Sequence, residues 1–305
     1  MTEHPFTTSE KMLCLSGKGQ MNHTELFPGI ELSVNYFNAS QISFQHEALP
    51  EVLEINYCRA GRIGWDMRDG FSVYLGPGDM DLHTMDYCAA STMNLPLGYY
   101  EGITVSIDIR QISSNPPDLI RESGINGNAL LRKLFAQGRP FSLPASDETG
   151  RIFEVLFHLP EHLCIPYYKL KVQELLLYLE RLRPDDEKIL DQYYSAQVEC
   201  IKEIHTRMTK DLNRRYTIDE LSKLYLMNTS SLKSIFKAVY GQPIASYMKE
   251  YRMRRAMELL RQTDESIAEI AQMMGYENQG KFTKAFKDIV QMNPLEFRQH
   301  CRAGA

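Results

Sequence analysis

The chain has 305 residues, 43% of them hydrophobic and 24% charged, which suits about two globular domains of roughly 150 residues each. No run of about 18 apolar residues occurs, and residues 1–20 are polar and mixed, without a basic-then-apolar leader; this predicts a cytoplasmic chain with no membrane partner. The net charge of −5 hides an asymmetry: residues 197–305 carry 18 Lys+Arg against 13 Asp+Glu, and the residues before them carry 16 against 26. A local basic field, not a basic whole, is what phosphate binding requires, so the C-terminal part keeps nucleic acid open as a partner. The six cysteines include no C-x-x-C pair, which gives no support to a zinc ribbon or redox motif and predicts free thiols.

In chain order, the first half reads as strands. Leu53, Ile55 and Tyr57 alternate with Glu54 and Asn56, the pattern of a half-buried strand. Residues 59–62 look like a turn. Ile63, Trp65 and Met67 alternate next, and Asp69-Gly70 is a strong hairpin dipeptide. Phe71, Val73 and Leu75 follow, ended by Gly76-Pro77-Gly78-Asp79, and a later strand holds Ile103, Val105, Ile107 and Ile109. Several short strands between turns predict a small sandwich or barrel. A helix is expected over residues 128–137, with Leu130, Leu131, Leu134 and Phe135 on one side. A longer one is expected from about Tyr167 to Arg181, its leucines suited to a dimer seam or to packing on the barrel. Arg183-Pro184 stops it, and residues 183–195 read as a linker.

The last third contains an internal repeat. Tyr216-Thr217-Ile218-Asp219-Glu220-Leu221-Ser222 resembles Glu265-Ser266-Ile267-Ala268-Glu269-Ile270-Ala271 at an offset of 49, whereas Phe236-Lys237 and Tyr247 match Phe286-Lys287 and Phe297 at 50. The second repeat therefore has one extra residue in its turn. Each repeat predicts a short helix, a turn, and a second helix opening after Asn228 or Asn278, residues suited to N-capping. The second helices would bury Leu232, Ile235 and Phe236, or Phe282, Ala285 and Phe286, and leave a polar or basic face. That is a helix-turn-helix, whose second helix enters the major groove. Residues 244–261, free of Gly and Pro, predict a rigid connecting helix of roughly 27 Å.

Ser266-Ile267-Ala268-Glu269-Ile270-Ala271, Gly275-Tyr276, Phe282, Phe286-Lys287, Asn293-Pro294 and Phe297-Arg298 resemble the signature of the AraC/XylS family of transcription regulators, over about residues 196–300. The resemblance implies an all-α domain of two helix-turn-helix units joined by a long helix, and promoter binding as its activity. Carried over by position, base contacts fall to Ser230, Lys233 and Ser234 in the first repeat and to Gln279, Gly280, Lys281 and Lys284 in the second; Lys, Ser and Gln can all reach base edges. Lys237, Lys287, Arg254 and Arg255 are candidates for phosphate contacts, with a solvated helix surface as the bland alternative. Three features depart from the pattern. Leu226 stands where the first turn often has Gly, Ser222 replaces the usual Ala, and the short Ser230, Ser231 and Ser234 suggest fewer direct base contacts in the first repeat.

By the same resemblance, residues 1–160 form a cupin-like effector-binding barrel, 161–195 a dimerisation helix and linker, and 196–305 the DNA-binding domain, an α+β chain overall. Expected partners are promoter DNA, RNA polymerase, a small-molecule effector and a second copy of the chain, as in an activator. No cofactor and no catalytic activity are expected. Cupin enzymes hold metal through an H-x-H pair; this chain has His46 and His83 in the barrel region but no such pair, so no metal is expected, although His83 closely follows Asp79 and Asp81. Trp65, Tyr57, Tyr74 and Arg62 could line a pocket or pack as core. Two other readings stay open: a metal enzyme with a DNA-binding tail, and a DNA-binding protein whose barrel only dimerises.

Overall fold

A computed structural model describes residues 13–14, 17–43, 47–67, 70–88 and 92–303. They form two compact units that meet at Ser195 and Ala196. The architecture is α+β, with sheets and then helices in the N-terminal unit and helices alone in the C-terminal one.

The N-terminal unit holds two six-stranded antiparallel sheets. The first runs β1 (Leu13–Cys14), β4 (Gln41–Ser43), β9 (Thr92–Asn94), β6 (Ile63–Asp66), β7 (Phe71–Leu75) and β12 (Tyr193–Tyr194) in spatial order. The second runs β11 (Phe141–Leu143), β8 (Met80–Thr84), β5 (Val52–Gly61), β10 (Tyr100–Asp108), β3 (Ile30–Ala39) and β2 (Gly17–Phe27). Successive side chains point to opposite faces of a strand. On one face of the second sheet, Leu32, Leu53, Ile55, Tyr57, Ile103, Val105 and Ile107 join a buried apolar cluster. The helices α1 (Ile109–Ser114), α2 (Asp118–Ser123), α3 (Gly127–Leu134), α4 (Asp147–Phe153) and α5 (Glu161–Arg181) complete that cluster. Leu130 and Leu134 of α3 and Val172, Leu175, Leu176 and Leu179 of α5 are buried in it. At about 1.5–3 kcal/mol for each fully buried large apolar side chain, this face is what fixes α5 on the sheet.

Several expected boundaries shift. Residues 60 and 61, read as part of a turn, instead continue β5, because Ala60 and Gly61 pair with Glu101 and Tyr100 of β10. The reversal narrows to Arg62, after Gly61 at φ +78°, and carries the chain from one sheet to the other. Ile109 opens α1 instead of ending a strand. Asp108 Oδ1 accepts from the backbone N–H of Arg110 (2.9 Å) and Gln111 (3.2 Å), a cap that stops β10. The helix expected over 128–137 ends at Leu134. The long helix begins six residues before Tyr167, with Pro166 inside it; a proline so near the start removes one intrahelical N–H, and the buried stripe that follows offsets the loss. The segment read as a linker lies along the N-terminal unit: Leu190 N–H donates to Ser142 O at 2.7 Å, and β12 pairs with β7. His46, Arg68 and Asp69 lie outside the described residues. Gly70, at φ +83°, donates its N–H to Met67 O at 3.0 Å in the β6–β7 reversal. Cys58, Cys88, Cys164, Cys200 and Cys301 are free thiols.

The C-terminal unit contains α6 (Ser195–Lys210), α7 (Ile218–Leu224), α8 (Thr229–Tyr240), α9 (Ile244–Gln262), α10 (Ile267–Met273), α11 (Gln279–Val290) and α12 (Pro294–Ala303). The pairs α7–α8 and α10–α11 are the two repeats. Both open with full capping boxes, Thr217 with Glu220 and Ser266 with Glu269, each satisfying two backbone donors reciprocally. The connecting α9 has 19 residues, about 28 Å at 1.5 Å each. Arg252 tethers it from within, its guanidinium donating to Leu212 O and Arg214 O, both at 3.2 Å.

Candidate nucleic-acid interface

Each second helix is held by its inner face and offers its outer one. Asn228 Oδ1 accepts from Ser231 N–H at 2.8 Å and Asn278 Oδ1 from Lys281 N–H at 2.9 Å, so α8 and α11 start at equivalent points. Leu232, Ile235 and Phe236 are buried on the inner side of α8, and Phe282, Ala285 and Phe286 on that of α11. A helix with one apolar stripe presents its other residues outward. Ser230, Lys233, Ser234 and Lys237 are exposed on α8, and Gln279, Gly280, Lys281, Lys284 and Lys287 on α11. Lys281 with Lys284, and Lys284 with Lys287, are three apart and neighbours on the helix surface. Arg254 and Arg255 are exposed on α9, where Arg255 pairs with Glu258 at 2.5 Å.

The two outer faces differ in chemistry. Lys281 makes an ion pair with the exposed Glu277 of its own turn, and its hydrogen bond holds the Glu277 carboxyl below the ordinary glutamate range. A carboxylate beside a cation that would meet a phosphate or a guanine is a competitor for it, and sequence spacing gave no warning, because Glu277 sits outside the helix. Ser234 Oγ donates to Ser231 O at 3.1 Å, so its hydroxyl hydrogen is used on its own helix.

The turns differ as well. In the first, Leu226 has φ +51° and is 95% exposed; in the second, Gly275 has φ +70°. A Cβ at Gly275 would lie 2.7 Å from both Leu212 O and Asn213 O, so glycine is required there by packing as well as by φ. Gly275 O accepts from Arg215 Nε at 2.8 Å, and the Arg215 guanidinium lies 4.7 Å from the centre of the Tyr276 ring. Ser222 Oγ donates to Met227 O at 2.7 Å, which braces the first turn where Ala271 has no such group.

A second constellation lies in the N-terminal unit; the sequence pointed to His83 with Asp79 and Asp81 as a conceivable carboxylate–histidine site, and did not point to Glu54 or Cys88. The face of the second sheet opposite the apolar cluster carries a band of polar side chains. Asn35 Nδ2 donates to Thr104 Oγ1 (2.9 Å), which donates to Asn56 Oδ1 (2.6 Å). Ser106 Oγ lies 3.4 Å from Glu54 Oε1, His83 Nδ1 2.7 Å from Asp81 Oδ2, and Ser142 Oγ 2.5 Å from Asp81 Oδ1. Ser33, Asn35, Asp81, His83 and Ser142 are buried. Glu54, His83 and Cys88 bring one donor atom each to within 4.8 Å of one another. Burial alone would pull the His83 pKa down; the field of Cys88 and the hydrogen bonds with Asp81, Cys88 and Glu54 outweigh it and hold the imidazole well above its ordinary range. Of the four residues considered for a pocket, Trp65 approaches the band, its ring centroid 6.0 Å from that of His83. Tyr57 faces the other way and stacks on Phe153 at 4.5 Å. A Cβ on Gly64 would fall on the Tyr74 ring, and one on Gly76 on the Arg62 guanidinium, so those two side chains cover strand and turn backbone.

The C-terminal unit thus has the build of a DNA-binding domain with two helix-turn-helix repeats. Residues 221–300 match the family described as helix-turn-helix domain, and this domain is of the AraC type. Among curated proteins, the chain is 21% identical over 198 residues to the HTH-type transcriptional regulator AlkR of Acinetobacter baylyi, covering 50% of this chain and 65% of AlkR. It is 30% identical over 95 residues to a putative AraC-like transcription regulator of Streptomyces lividans, covering 31% of each. The matches cover less than two thirds of these relatives' own lengths. Among solved structures, the DNA-binding domain of AdpA in complex with a target DNA matches 34% of this chain and 93% of its own at 19% identity and a TM-score of 0.33. ToxT of Vibrio cholerae matches 88% and 97% at 14% identity and a TM-score of 0.33. Among the described residues, no helix is long and apolar enough to cross a membrane.

Proposed function

We propose that the chain is a sequence-specific DNA-binding transcription regulator, non-enzymatic and cytoplasmic, whose N-terminal unit takes a small-molecule effector and whose C-terminal unit binds promoter DNA. The observation that carries this reading is the pair of capped second helices, α8 and α11, each buried on one side and polar or basic on the other, joined by the continuous α9. Lys281 and Lys284 read base edges, with Gln279 and the close backbone approach at Gly280. Ser230, Lys233 and Ser234 take the equivalent role in the first repeat, and Lys237, Lys287, Arg254 and Arg255 hold phosphates. The polar band on the second sheet, with Trp65 beside it, supports an effector of mixed polarity, since binding sites combine a few fixed polar groups with apolar walls. Tyr167, Leu170 and Leu177 are exposed along one face of α5, with Glu174 between the leucines, which supports self-association as a dimer. Activation would add a contact with RNA polymerase.

The test is binding of the full chain to its own upstream DNA against random DNA of equal length, titrated with salt. Sequence-selective binding that weakens with salt, and loses selectivity in a Lys281→Ala/Lys284→Ala variant, supports the reading. Equal binding to both DNAs at every salt concentration rejects it.

A further inference from the structure

We propose that Glu54, His83 and Cys88 form a binding site for one divalent d-block cation of the zinc type, a site that belongs to the N-terminal unit alone and does not depend on the DNA-binding reading. The three donors come from two adjacent strands and the turn that follows: Glu54 on β5, His83 opposite it on β8, and Cys88 five residues on. His83 Nε2 lies 3.0 Å from Glu54 Oε2 and 3.1 Å from Cys88 Sγ, and Cys88 Sγ lies 3.4 Å from Glu54 Oε2. Ligand bonds of about 2.0–2.3 Å at tetrahedral angles put zinc ligands roughly 3.3–3.5 Å apart. The triangle is therefore close to the size that one such ion would span, slightly contracted.

The surroundings supply what a metal histidine needs. Asp81, with no exposed surface, faces His83 Nδ1 at 2.7 Å and is itself held by Ser142 Oγ at 2.5 Å. With the ring neutral and Nδ1–H donating a hydrogen bond to Asp81, the Nε2 lone pair faces the other two donors, the arrangement by which a carboxylate orients a histidine on a metal. Ser106 Oγ lies 3.4 Å from the other Glu54 oxygen. A neutral imidazole nitrogen, a carboxylate oxygen and a thiolate sulfur all present lone pairs. Without metal, protons on the ring and on the thiol hold these atoms together; one metal ion would take their place, with His83 and Cys88 buried around it. The nitrogen–sulfur–oxygen set favours zinc or cobalt over magnesium or calcium, which take oxygen ligands.

The experiment uses the full chain, stripped with chelator under reducing conditions and titrated with Co²⁺. The expected result is saturable uptake of one ion per chain with thiolate-to-cobalt absorption, quenched emission from Trp65, the single tryptophan of the chain, and displacement by Zn²⁺ but not by Mg²⁺. Cys88→Ser removes the thiolate absorption. Glu54→Gln, at a partly exposed position, weakens uptake at least about tenfold. Asp81→Asn, which changes no ligand, weakens it about 10–100-fold, as expected for a positioning residue. Circular dichroism of each apo variant separates loss of the site from loss of the fold. No saturable uptake by wild type would leave protons as what holds these atoms together and overturn the proposal. So would thiolate absorption that survives in folded Cys88→Ser, since the ion would then sit on other cysteines. DNA binding on the same samples is read separately, so either proposal can fail alone.

Discussion

The first repeat closes its turn on Leu226 at φ +51°, with its side chain in solvent; the second closes on Gly275 at φ +70°, pressed against the carbonyls of Leu212 and Asn213. The cores differ in the same sense. Around α8, His205 stacks on Tyr240 (4.4 Å) and hydrogen-bonds Tyr247 Oη (2.9 Å), whereas the matching ring contacts around α11 join Phe282, Phe286 and Phe297. The outer faces follow suit, with serines, Lys233 and Lys237 on α8 and three lysines, beside Glu277 and Asp288, on α11. One backbone plan has thus been fitted twice with different side chains. The second repeat is the more apolar inside and has one more lysine outside, so the two should carry unequal shares of DNA affinity and respond differently to pH and to turn substitution.

The largest expected effect is on DNA binding. Each base-reading side chain is worth about 1–3 kcal/mol of discrimination, so Lys281→Ala/Lys284→Ala should cost on the order of a hundredfold or more in affinity for the cognate site. Lys233→Ala in the first repeat should cost about tenfold or less. Because Glu277 already engages Lys281, Lys284→Ala should be the worse of the two single changes, and Glu277→Gln should tighten binding. Phosphate contacts behave otherwise: Lys237→Ala and Lys287→Ala should weaken cognate and random DNA alike and lower the salt slope by about one each. Equal losses from the two repeats in a fluorescence-anisotropy titration would break the asymmetry.

Stability separates the repeats next. Gly275→Ala puts a side chain at positive φ and into two backbone oxygens, and should destabilise the C-terminal unit by about 2–4 kcal/mol in denaturant unfolding. The aromatic core around α8 includes a half-buried titrating ring supplied by α6: burial lowers the His205 pKa to about 4. The unfolded chain, with an ordinary histidine pKa near 6.5, takes up that proton first. Stability from this group is therefore complete above pH 6.5 and is lost as pH falls towards 4, by about 3 kcal/mol at most. In His205→Gln the step between pH 6.5 and 4 should flatten, whatever the variant's stability at pH 8; an unchanged step in pH-dependent melting would assign it elsewhere.

The C-terminal architecture was legible because its signals are local. Two offsets, 49 and 50, located both helix pairs and the extra turn residue, and helix caps and apolar spacing are written within a dozen residues. The N-terminal unit was legible only as strands. Glu54 and Asn56 alternate with apolar neighbours just as residues facing water do, yet they belong to a polar band in which Asn35, Asp81 and His83 are buried. Period-2 patterning tells which residues share a face, not what covers that face. The Glu54–His83–Cys88 triangle was invisible for a related reason: strand pairing brings together residues 29 apart in sequence, and no short spacing such as H-x-H announces it. Ile109 was misread because its apolar character continued the alternation while Asp108 was already capping a helix.

Leu226 gives the smallest and cleanest contrast. A branched side chain in the left-handed region costs about 1–2 kcal/mol, and here the cost is not offset by packing, since the residue is 95% exposed. Asparagine adopts this backbone with less strain and without the extra unfolded-state entropy that glycine brings. Leu226→Asn should therefore stabilise the C-terminal unit by about 0.5–1 kcal/mol, and Leu226→Gly by less, in contrast to the loss expected from Gly275→Ala. A folded but destabilised Leu226→Asn would show that the leucine contributes more to this turn than its exposure implies, and would overturn the contrast with Gly275.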